Sequence, residues 1–237
     1  MLRSIYNRGV DMHQAPYVHG LFRDVFTGVD TRQKKAIPIG ELHMLLNKDP
    51  QSEKLRRTQA IANLLFQFCG MPFSDLAHLE KSNLERGLLK YNRTKTGTPM
   101  SIEVLESAQN AIGGLYNKSD ARSSGYPDYL FRILSGAYKR NEEGAYREYQ
   151  SALRRFNNEL KSLSRKLRLH SPVTSYTLRH SWATTAKYRG VPIEMISESL
   201  GHKSIKTTQI YLKGFELEER TKVNKLNYSY VCNFKML

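Results

Sequence analysis

Cysteine and long apolar runs are scarce in this chain of 237 residues. The two cysteines, Cys69 and Cys232, are too few for a disulfide framework or a cysteine-based zinc cluster, and they favour a reducing compartment. The longest mostly apolar stretch, residues 60–71, is shorter than the roughly 20 residues that a membrane-spanning helix needs. The first residues have no apolar segment of the signal-peptide type. We therefore expect a soluble cytoplasmic protein that does not bind membranes.

Acidic residues are also few relative to basic ones. Lys and Arg number 37 against 22 Asp and Glu, which gives a formal charge of +15 and a pI near 9.8. Such an excess attracts polyanions, of which nucleic acid is the commonest. Charge alone leaves open a basic protein without such a partner. The hydrophobic share of 40% is sufficient for a core in a domain of this length.

The spacing of apolar residues predicts a mostly helical fold with one small antiparallel sheet, an α+β class. The predicted helices cover residues 2–13, 55–69, 144–167, 175–188, 192–200 and 204–212, with a further helix starting at 38 and a helical turn at 74–79. Two strands are predicted at residues 88–91 and 100–104. Residues 113–128, which begin with Gly113-Gly114, are predicted to form a loop.

Three candidate functional residues lie close together in the last third of the chain. Arg179 begins the run Arg-His-Ser-Trp-Ala-Thr, His202 ends the run Leu-Gly-His, and Tyr211 follows that histidine by nine residues. Each residue alone has an ordinary explanation, as a salt-bridge partner, a helix-end side chain or a core ring. Their order and spacing together resemble the C-terminal active site of the tyrosine recombinases. These are the phage and transposon integrases that cut and rejoin DNA through a phosphotyrosine.

The resemblance implies a role for each of the three residues. Phosphodiester exchange without a metal needs a nucleophile, positive donors for the pentacoordinate phosphorus, and an acid for the departing oxygen. Tyr211 would be the nucleophile, because a phenol ester conserves the bond energy for resealing. Arg179 would clamp two non-bridging oxygens with its planar fork, and His202 would donate another hydrogen bond to the same phosphate. No metal, nucleotide or other cofactor is implied.

The resemblance extends over about residues 36–215. The family carries its catalytic lysine on a hairpin that the segment Arg93-Thr94-Lys95-Thr96-Gly97 matches, so Lys95 would protonate the departing 5′ oxygen. A solvated hairpin lysine is the alternative. Tyr176 stands three residues before Arg179, where many members carry histidine or lysine, and its phenol can still donate a hydrogen bond to the phosphate.

The same resemblance implies the partners and the setting. Double-stranded DNA would be the substrate, with Arg93, Lys203 and Lys206 as candidate contacts. A homotetramer is expected on DNA, a monomer stays open for the free protein, and accessory DNA-bending proteins are further expected partners at the bacterial nucleoid. Residues 70–76 and 207–212 look most like integrases of mobile elements in Bacteroides-type bacteria, which predicts integration or excision of such an element.

One position departs from the family pattern. The first catalytic arginine usually follows the Gly-Leu/Met pair that closes the apolar helix, and this chain has Pro72 there. An arginine that serves a phosphoryl transition state can contribute about 10³–10⁵ in rate. Another basic residue can replace it, with Arg56, Arg57 and Arg93 as candidates. The subgroup that the chain resembles also tends to lack this arginine, which favours a replacement over loss of activity. Alternatively, the protein binds DNA but cleaves it slowly or not at all.

The resemblance also divides the chain. Residues 1–35 are expected to be the last helix of an N-terminal core-binding domain with its linker, and residues 36–215 the catalytic domain. Residues 216–237 would form a tail that packs either on a neighbouring protomer or on its own domain. With only a remnant of the N-terminal clamp, we expect weak and salt-sensitive DNA binding. A non-catalytic DNA-binding module and strand relaxation of the type IB topoisomerase kind are the competing hypotheses.

Overall fold

The computed structural model describes residues 2–23, 36–116, 126–212 and 217–232, and the chain divides into two compact units, Met1–Lys34 and Lys35–Leu237. The first unit contains helix α1 (Leu2–Asp11) and a segment that folds back onto Tyr6. The Tyr6 hydroxyl donates to the Pro16 carbonyl (2.7 Å) and accepts from the Val18 N–H (2.7 Å). The assignment of this unit to a core-binding domain stays a prediction.

The second unit is mostly helical and contains one small antiparallel sheet, with strands in the order β1-β2-β3. This confirms the predicted fold class. Its strands are β1 (Leu84–Glu85), β2 (Leu88–Asn92) and β3 (Pro99–Glu103). Its helices are α2 (Ile39–Asn47), α3 (Glu53–Gln67), α4 (Phe73–Ala77), α5 (Glu106–Leu115), α6 (Glu143–Lys166), α7 (Ser175–Tyr188), α8 (Ile193–Ser199), α9 (Ile205–Tyr211) and α10 (Leu217–Cys232).

The sheet is a hairpin extended by a short edge strand. Leu89 and Ile102 are paired across β2 and β3 and are both buried, so alternation along the strands places one face on the core. The predicted strand pair is therefore confirmed. β1 is not predicted from the sequence, because two residues are too short to leave an alternating pattern. It joins β2 through Arg86 and Gly87, whose positive φ angles (49° and 78°) are typical of a tight hairpin turn.

The loop predicted from residue 113 is wrong at its start, because α5 continues through Gly113 and Gly114. Each glycine costs a helix about 1 kcal/mol relative to alanine. The buried residues of α5 nevertheless share one helical face: Ala108, Ile112 and Leu115. The Ser107 hydroxyl also donates to the side-chain oxygen of Gln67 on α3 (2.6 Å). Packing of α5 against α3 thus outweighs the low helix propensity of the two glycines. Residues 117–125 of the predicted loop lie outside the described residues.

Helix α6, with 24 residues, is the longest helix in the described parts of the chain. Its apolar face packs against α3 and includes Ala152, Phe156, Leu160 and Leu163. Its exposed side is basic and includes Arg154, Arg155, Lys161 and Arg165. The predicted bounds of this helix agree with the structure to within one residue at each end. No helix among the described residues has both the length and the apolar character that crossing a membrane requires.

Two clusters of buried apolar side chains stabilise the second unit. The larger one joins α2, α3, α4, the sheet, α5 and α6, and α7 contributes Leu178 to it. The smaller one lies among α7, α8 and α9, and α7 contributes Ala183. Arg179 directly follows Leu178 and is therefore located where the two clusters meet.

Helix α10 exposes the side chains that the structure describes, which are those of residues 220–229 and Cys232. Among them are the apolar side chains of Val223 and Leu226 and the ring of Tyr228. The side chains of Tyr230 and Val231, and the whole of Phe234, lie outside the described part. Packing of this segment on a neighbouring protomer stays a prediction.

Candidate active site

Arg179 is a buried cation that connects three segments of the fold. Its side chain is directed into the interior of the second unit, and the residue is 6% exposed. Nη1 donates to the carbonyl of Gly70, after the end of α3 (2.8 Å), and Nη2 donates to the carbonyl of Leu200, at the end of α8 (2.6 Å). One guanidinium on α7 therefore holds the ends of two other helices together.

Gly70 allows α7 to pass directly over the end of α3. Its φ is +63°, and a Cβ at this position would lie 3.2 Å from the Cα of Arg179 and 3.1 Å from the Cβ of Trp182. Helix backbone cannot move aside as a flexible side chain can, so any larger residue at position 70 would push α7 away. The glycine thus permits the close approach on which the Arg179 hydrogen bond depends.

The end of α8 presents a carbonyl and a histidine to the arginine on α7. Gly201 N–H donates to the Glu198 carbonyl (2.7 Å) and His202 N–H donates to the Ser197 carbonyl (3.0 Å). These are the paired bonds of a Schellman motif, and the φ of +62° at Gly201 fits it. The Leu200 carbonyl takes no part in this capping pair and instead accepts from guanidinium groups.

The His202 imidazole lies between Thr208 and Arg179. Nδ1 is 2.8 Å from the Thr208 hydroxyl, and Nε2 is 3.3 Å from Nη2 of Arg179. A guanidinium has donors only, so Nε2 accepts and Nδ1 carries the proton. Burial, followed by the charges of Arg179, Arg93 and Lys95, lowers the pKa of His202 to about 4. The ring is therefore neutral at pH 7 in the absence of DNA.

The lowered pKa of His202 predicts an acid-sensitive fold. The pKa rises from about 4 in the folded protein to about 6.5 in the unfolded chain. Between these values the unfolded chain binds more protons, so this contribution to stability is lost as the pH falls from 6.5 to 4. Thermal unfolding of the wild type and a His202→Gln variant checks this. The stability advantage of the wild type over the variant should shrink over that range, and a constant difference would contradict the lowered pKa.

Arg93, at the end of β2, points into the site rather than outward. Nε lies 3.2 Å from Oδ2 of Asp75, and Nη1 donates to the Leu200 carbonyl that also accepts from Arg179. Asp75 is 2% exposed and accepts a second bond from the Thr94 N–H (3.2 Å). The DNA contact predicted for Arg93 stays a prediction, but its position is inside the site and not on the outer surface.

Lys95 lies at the tip of the β2–β3 hairpin and is exposed. The hairpin contacts the end of α8, since the Thr96 hydroxyl donates to the Gly201 carbonyl (3.4 Å). This contact explains why the charge of Lys95 contributes to the lowered pKa of His202. The structure thus brings Lys95 to the same end of α8 as His202.

The remaining predicted site residues surround this centre. Tyr176 lies one turn before Arg179 on α7 and is 42% exposed. Lys203 and Lys206 are exposed, between α8 and α9 and in the first turn of α9 respectively. Their predicted contacts with phosphate and DNA stay predictions. Within the described residues, no group of three or more His, Cys, Asp or Glu is placed to hold a metal ion.

Tyr211 is the last residue of α9, and its side chain lies outside the described part. Residues before and after it form hydrogen bonds to other segments of the second unit. Thr208, one turn earlier, contacts His202, and the carbonyl of Leu212 accepts from Nζ of Lys187 on α7 (2.9 Å). These two bonds connect the segment around Tyr211 to His202 and to the helix that carries Arg179.

Two site residues are not predicted from the sequence. Asp75 had a usable signal, because it is the only acidic residue in the mostly apolar stretch 68–79, and a buried carboxylate requires a partner. Thr208 had none, because α9 contains two adjacent threonines and the sequence does not show which of them contacts a histidine. Only its position opposite His202 identifies it.

The sequence profile described as the phage integrase family matches residues 39–217, which include the whole site. The chain belongs to the phage integrase family. It is 28% identical over 204 residues to a probable integrase/recombinase protein of Methanocaldococcus jannaschii, and 30% identical over 190 residues to the tyrosine recombinase XerD of Halalkalibacterium halodurans. These matches cover 83% and 76% of this chain but only 58% and 57% of the two relatives. The chain thus spans somewhat more than half the length of these integrase relatives.

Solved structures have the same fold. A XerA recombinase is similar over 100% of this chain and 74% of its own, with a TM-score of 0.56 and 20% identity. The Tn1549 transposon integrase, solved in complex with a circular intermediate DNA, is similar over 95% and 76%, with a TM-score of 0.62 and 15% identity. At such identities the likeness concerns the integrase fold alone.

Proposed function

We propose that this protein is a site-specific recombinase that breaks and rejoins DNA through a 3′-phosphotyrosyl link to Tyr211. The observation that carries the proposal is the direct contact of Arg179 with His202 (3.3 Å), two residues 23 positions apart. Lys95 and the backbone of Tyr211 are located on segments that contact the same centre. The order of these residues in the chain is that of the family's active site.

The geometry suits a phosphate at the Arg179 guanidinium. A planar fork binds two non-bridging oxygens and neutralises charge that develops at the pentacoordinate phosphorus. His202 is neutral in the free protein, with a pKa near 4. A phosphate beside the imidazole adds negative charge, which raises that pKa and favours ring forms that donate to the phosphate.

In the proposed reaction, the phenol oxygen of Tyr211 forms a bond to phosphorus as the bond to the 5′ oxygen breaks. The phenol releases its proton to solvent, and Lys95 gives one to the departing oxygen. The 5′ hydroxyl of a partner strand reverses these steps and seals the exchanged strand. The energy of the phosphotyrosine ester is used for resealing, so no external energy source is needed.

The proposal includes the partners and the biological role. Double-stranded DNA as substrate is supported by the formal charge of +15 and by the exposed Lys203 and Lys206 beside the site. A tetramer on DNA is supported by α10, whose described side chains are exposed on the single protomer. Accessory DNA-bending proteins are further proposed partners, and the bacterial nucleoid is the proposed location. Integration or excision of a mobile element is supported by the sequence of residues 70–76 and 207–212.

Covalent trapping on a nicked suicide DNA tests the proposed chemistry. The wild type should form a protein–DNA adduct that survives denaturation, and Tyr211→Phe should form none, because a phenyl ring has no oxygen to attack phosphorus. Tyr146→Phe is the matched control, since this tyrosine is exposed on α6 and should leave the adduct unchanged.

Two outcomes of the trapping assay would overturn the proposal. An adduct that persists in Tyr211→Phe would mean that another group attacks the DNA. No adduct with the wild type, on DNA that it binds, would favour a non-catalytic DNA-binding module, which the proline at position 72 makes the leading alternative. Strand exchange between two duplexes then distinguishes a recombinase from a supercoil-relaxing enzyme.

A further inference from the structure

The site has proline where the family carries its first arginine. Pro72 precedes α4 as its N-cap, and its carbonyl accepts from the Asp75 N–H (3.0 Å). Proline has neither charge nor donor, so a second cation for the phosphate must come from elsewhere in the chain. The sequence leaves three arginines open for this role.

The structure excludes two of these arginines. Arg56 forms an ion pair with Asp49 (3.0 Å), and Arg57 donates to the Arg132 carbonyl (2.6 Å). Both are in the first turns of α3, while Gly70 follows its last turn. At about 1.5 Å of rise per residue, the helix separates them from Gly70 by about 20 Å. Neither side chain serves the site at Arg179.

Arg93 shares a hydrogen-bond acceptor with Arg179. Nη1 of Arg93 and Nη2 of Arg179 both donate to the carbonyl oxygen of Leu200, so the two guanidinium groups are neighbours. Both residues are equally exposed, at 6%. The charges of both also lower the pKa of His202, which places both near the imidazole. Arg93 is therefore part of the same cationic cluster as Arg179.

Asp75 fixes the orientation of the Arg93 guanidinium through its Nε. Its carboxylate accepts from Nε of Arg93 (3.2 Å), and its N–H donates to Pro72, so it holds this arginine within one turn of the position that lacks one. Gly201 makes room for the stem of Arg93, because a Cβ there would lie only 2.3 Å from its Cδ. The Nε edge is thus bound by a buried carboxylate, and Nη1 reaches the carbonyl shared with Arg179.

We propose that Arg93 supplies the second guanidinium of the active site and contacts the scissile phosphate in place of the arginine absent at position 72. This inference rests on the proposed recombinase function. A bound phosphate oxygen would take over Nη1 from the Leu200 carbonyl, while Nε stays on Asp75. Two guanidinium groups would then share the charge of the phosphate, as in family members that have arginine after the Gly-Leu/Met pair.

A neutral phosphate analogue tests this role directly. Suicide DNA with a methylphosphonate at the scissile position has a methyl group in place of one charged oxygen, so it needs less positive charge in the transition state. We expect Arg93→Ala to slow cleavage of normal DNA by about 10³-fold or more. The same variant should slow cleavage of the methylphosphonate by less than about tenfold, because the lost cation has less charge to neutralise.

Two variants keep this test decisive. Arg93→Lys retains a cation beside Asp75 and replaces Arg93→Ala if the latter does not fold; it should show the same substrate preference with a smaller loss. Arg57→Ala removes an equal charge from α3 and should cleave both DNAs like the wild type. Equal losses of Arg93→Ala on both DNAs would overturn the inference and reduce Arg93 to a positioning residue. Failure of the recombinase proposal has another signature, because the wild type itself then forms no Tyr211 adduct.

Discussion

An Arg179→Ala variant is expected to bind DNA but to cleave it about 10³–10⁵ times more slowly than the wild type. The guanidinium is placed by the carbonyls of Gly70 and Leu200 before any DNA is present. A preorganised cation needs no rearrangement when negative charge develops at phosphorus, so its loss raises the barrier directly. Single-turnover cleavage of suicide DNA, at protein concentrations that saturate binding, measures this barrier separately from affinity.

Arg189→Ala is the matched control for the loss of Arg179. Arg189 is the C-cap of the same helix and is exposed, so its removal changes the net charge equally without touching the site. It should alter salt-dependent binding slightly and leave the cleavage rate intact. If Arg179→Ala retained more than about a tenth of the wild-type rate, its assignment as a phosphate-binding arginine would be wrong.

An Asp75→Ala variant is expected to lose about 3–5 kcal/mol of its free energy of unfolding. The carboxylate is the buried partner of Arg93, and the two side chains are 0% and 7% exposed. Removing it leaves a guanidinium with an uncompensated charge in the interior. Urea denaturation of the wild type and the variant measures the difference, and cleavage should fall as well, because Nε of Arg93 loses its acceptor.

Asp49→Ala provides a close comparison, because Asp49 also pairs with an arginine. Its contact with Arg56 has an N–O distance of 3.0 Å, against 3.2 Å for the buried pair. The side chains of Asp49 and Arg56 are 60% and 51% exposed, so water and salt screen their attraction. We expect a much smaller loss of stability than for Asp75→Ala. Similar losses in the two variants would show that burial does not set the strength of the Asp75–Arg93 pair.

Both predictions concern donors that the protein satisfies internally before it meets DNA. The Leu200 carbonyl accepts from two arginines, and the Schellman motif at Gly201 leaves that carbonyl outside the helix's own capping bonds. A phosphate has more negative charge than a carbonyl and can replace it as the acceptor. In the proposed recombinase, these carbonyls would hold the guanidinium groups in position until a phosphate replaces them.

Much of the fold could be predicted from the sequence, because helical periodicity is local. The helix bounds of α6 and α7 follow from apolar spacing, and the hairpin of β2 and β3 follows from its turn residues. α5 and β1 could not be predicted in this way. α5 contains Gly113-Gly114 and is stabilised by packing on α3, while β1 pairs over only two residues. Contacts that override propensity leave no local pattern to detect.

The sequence by itself indicated the family and predicted three site residues, because Arg179, His202 and Tyr211 occur at characteristic spacings on α7, just after α8 and at the end of α9. Only the tertiary structure decided which arginine lies beside Arg179. The sequence does not distinguish among Arg56, Arg57 and Arg93, but of these three only Arg93 donates to the carbonyl of Leu200, a residue 107 positions away. The physical reason is that a cation's role depends on its acceptors. Asp75 and the Leu200 carbonyl become acceptors for Arg93 only when the hairpin, α4 and α8 pack together.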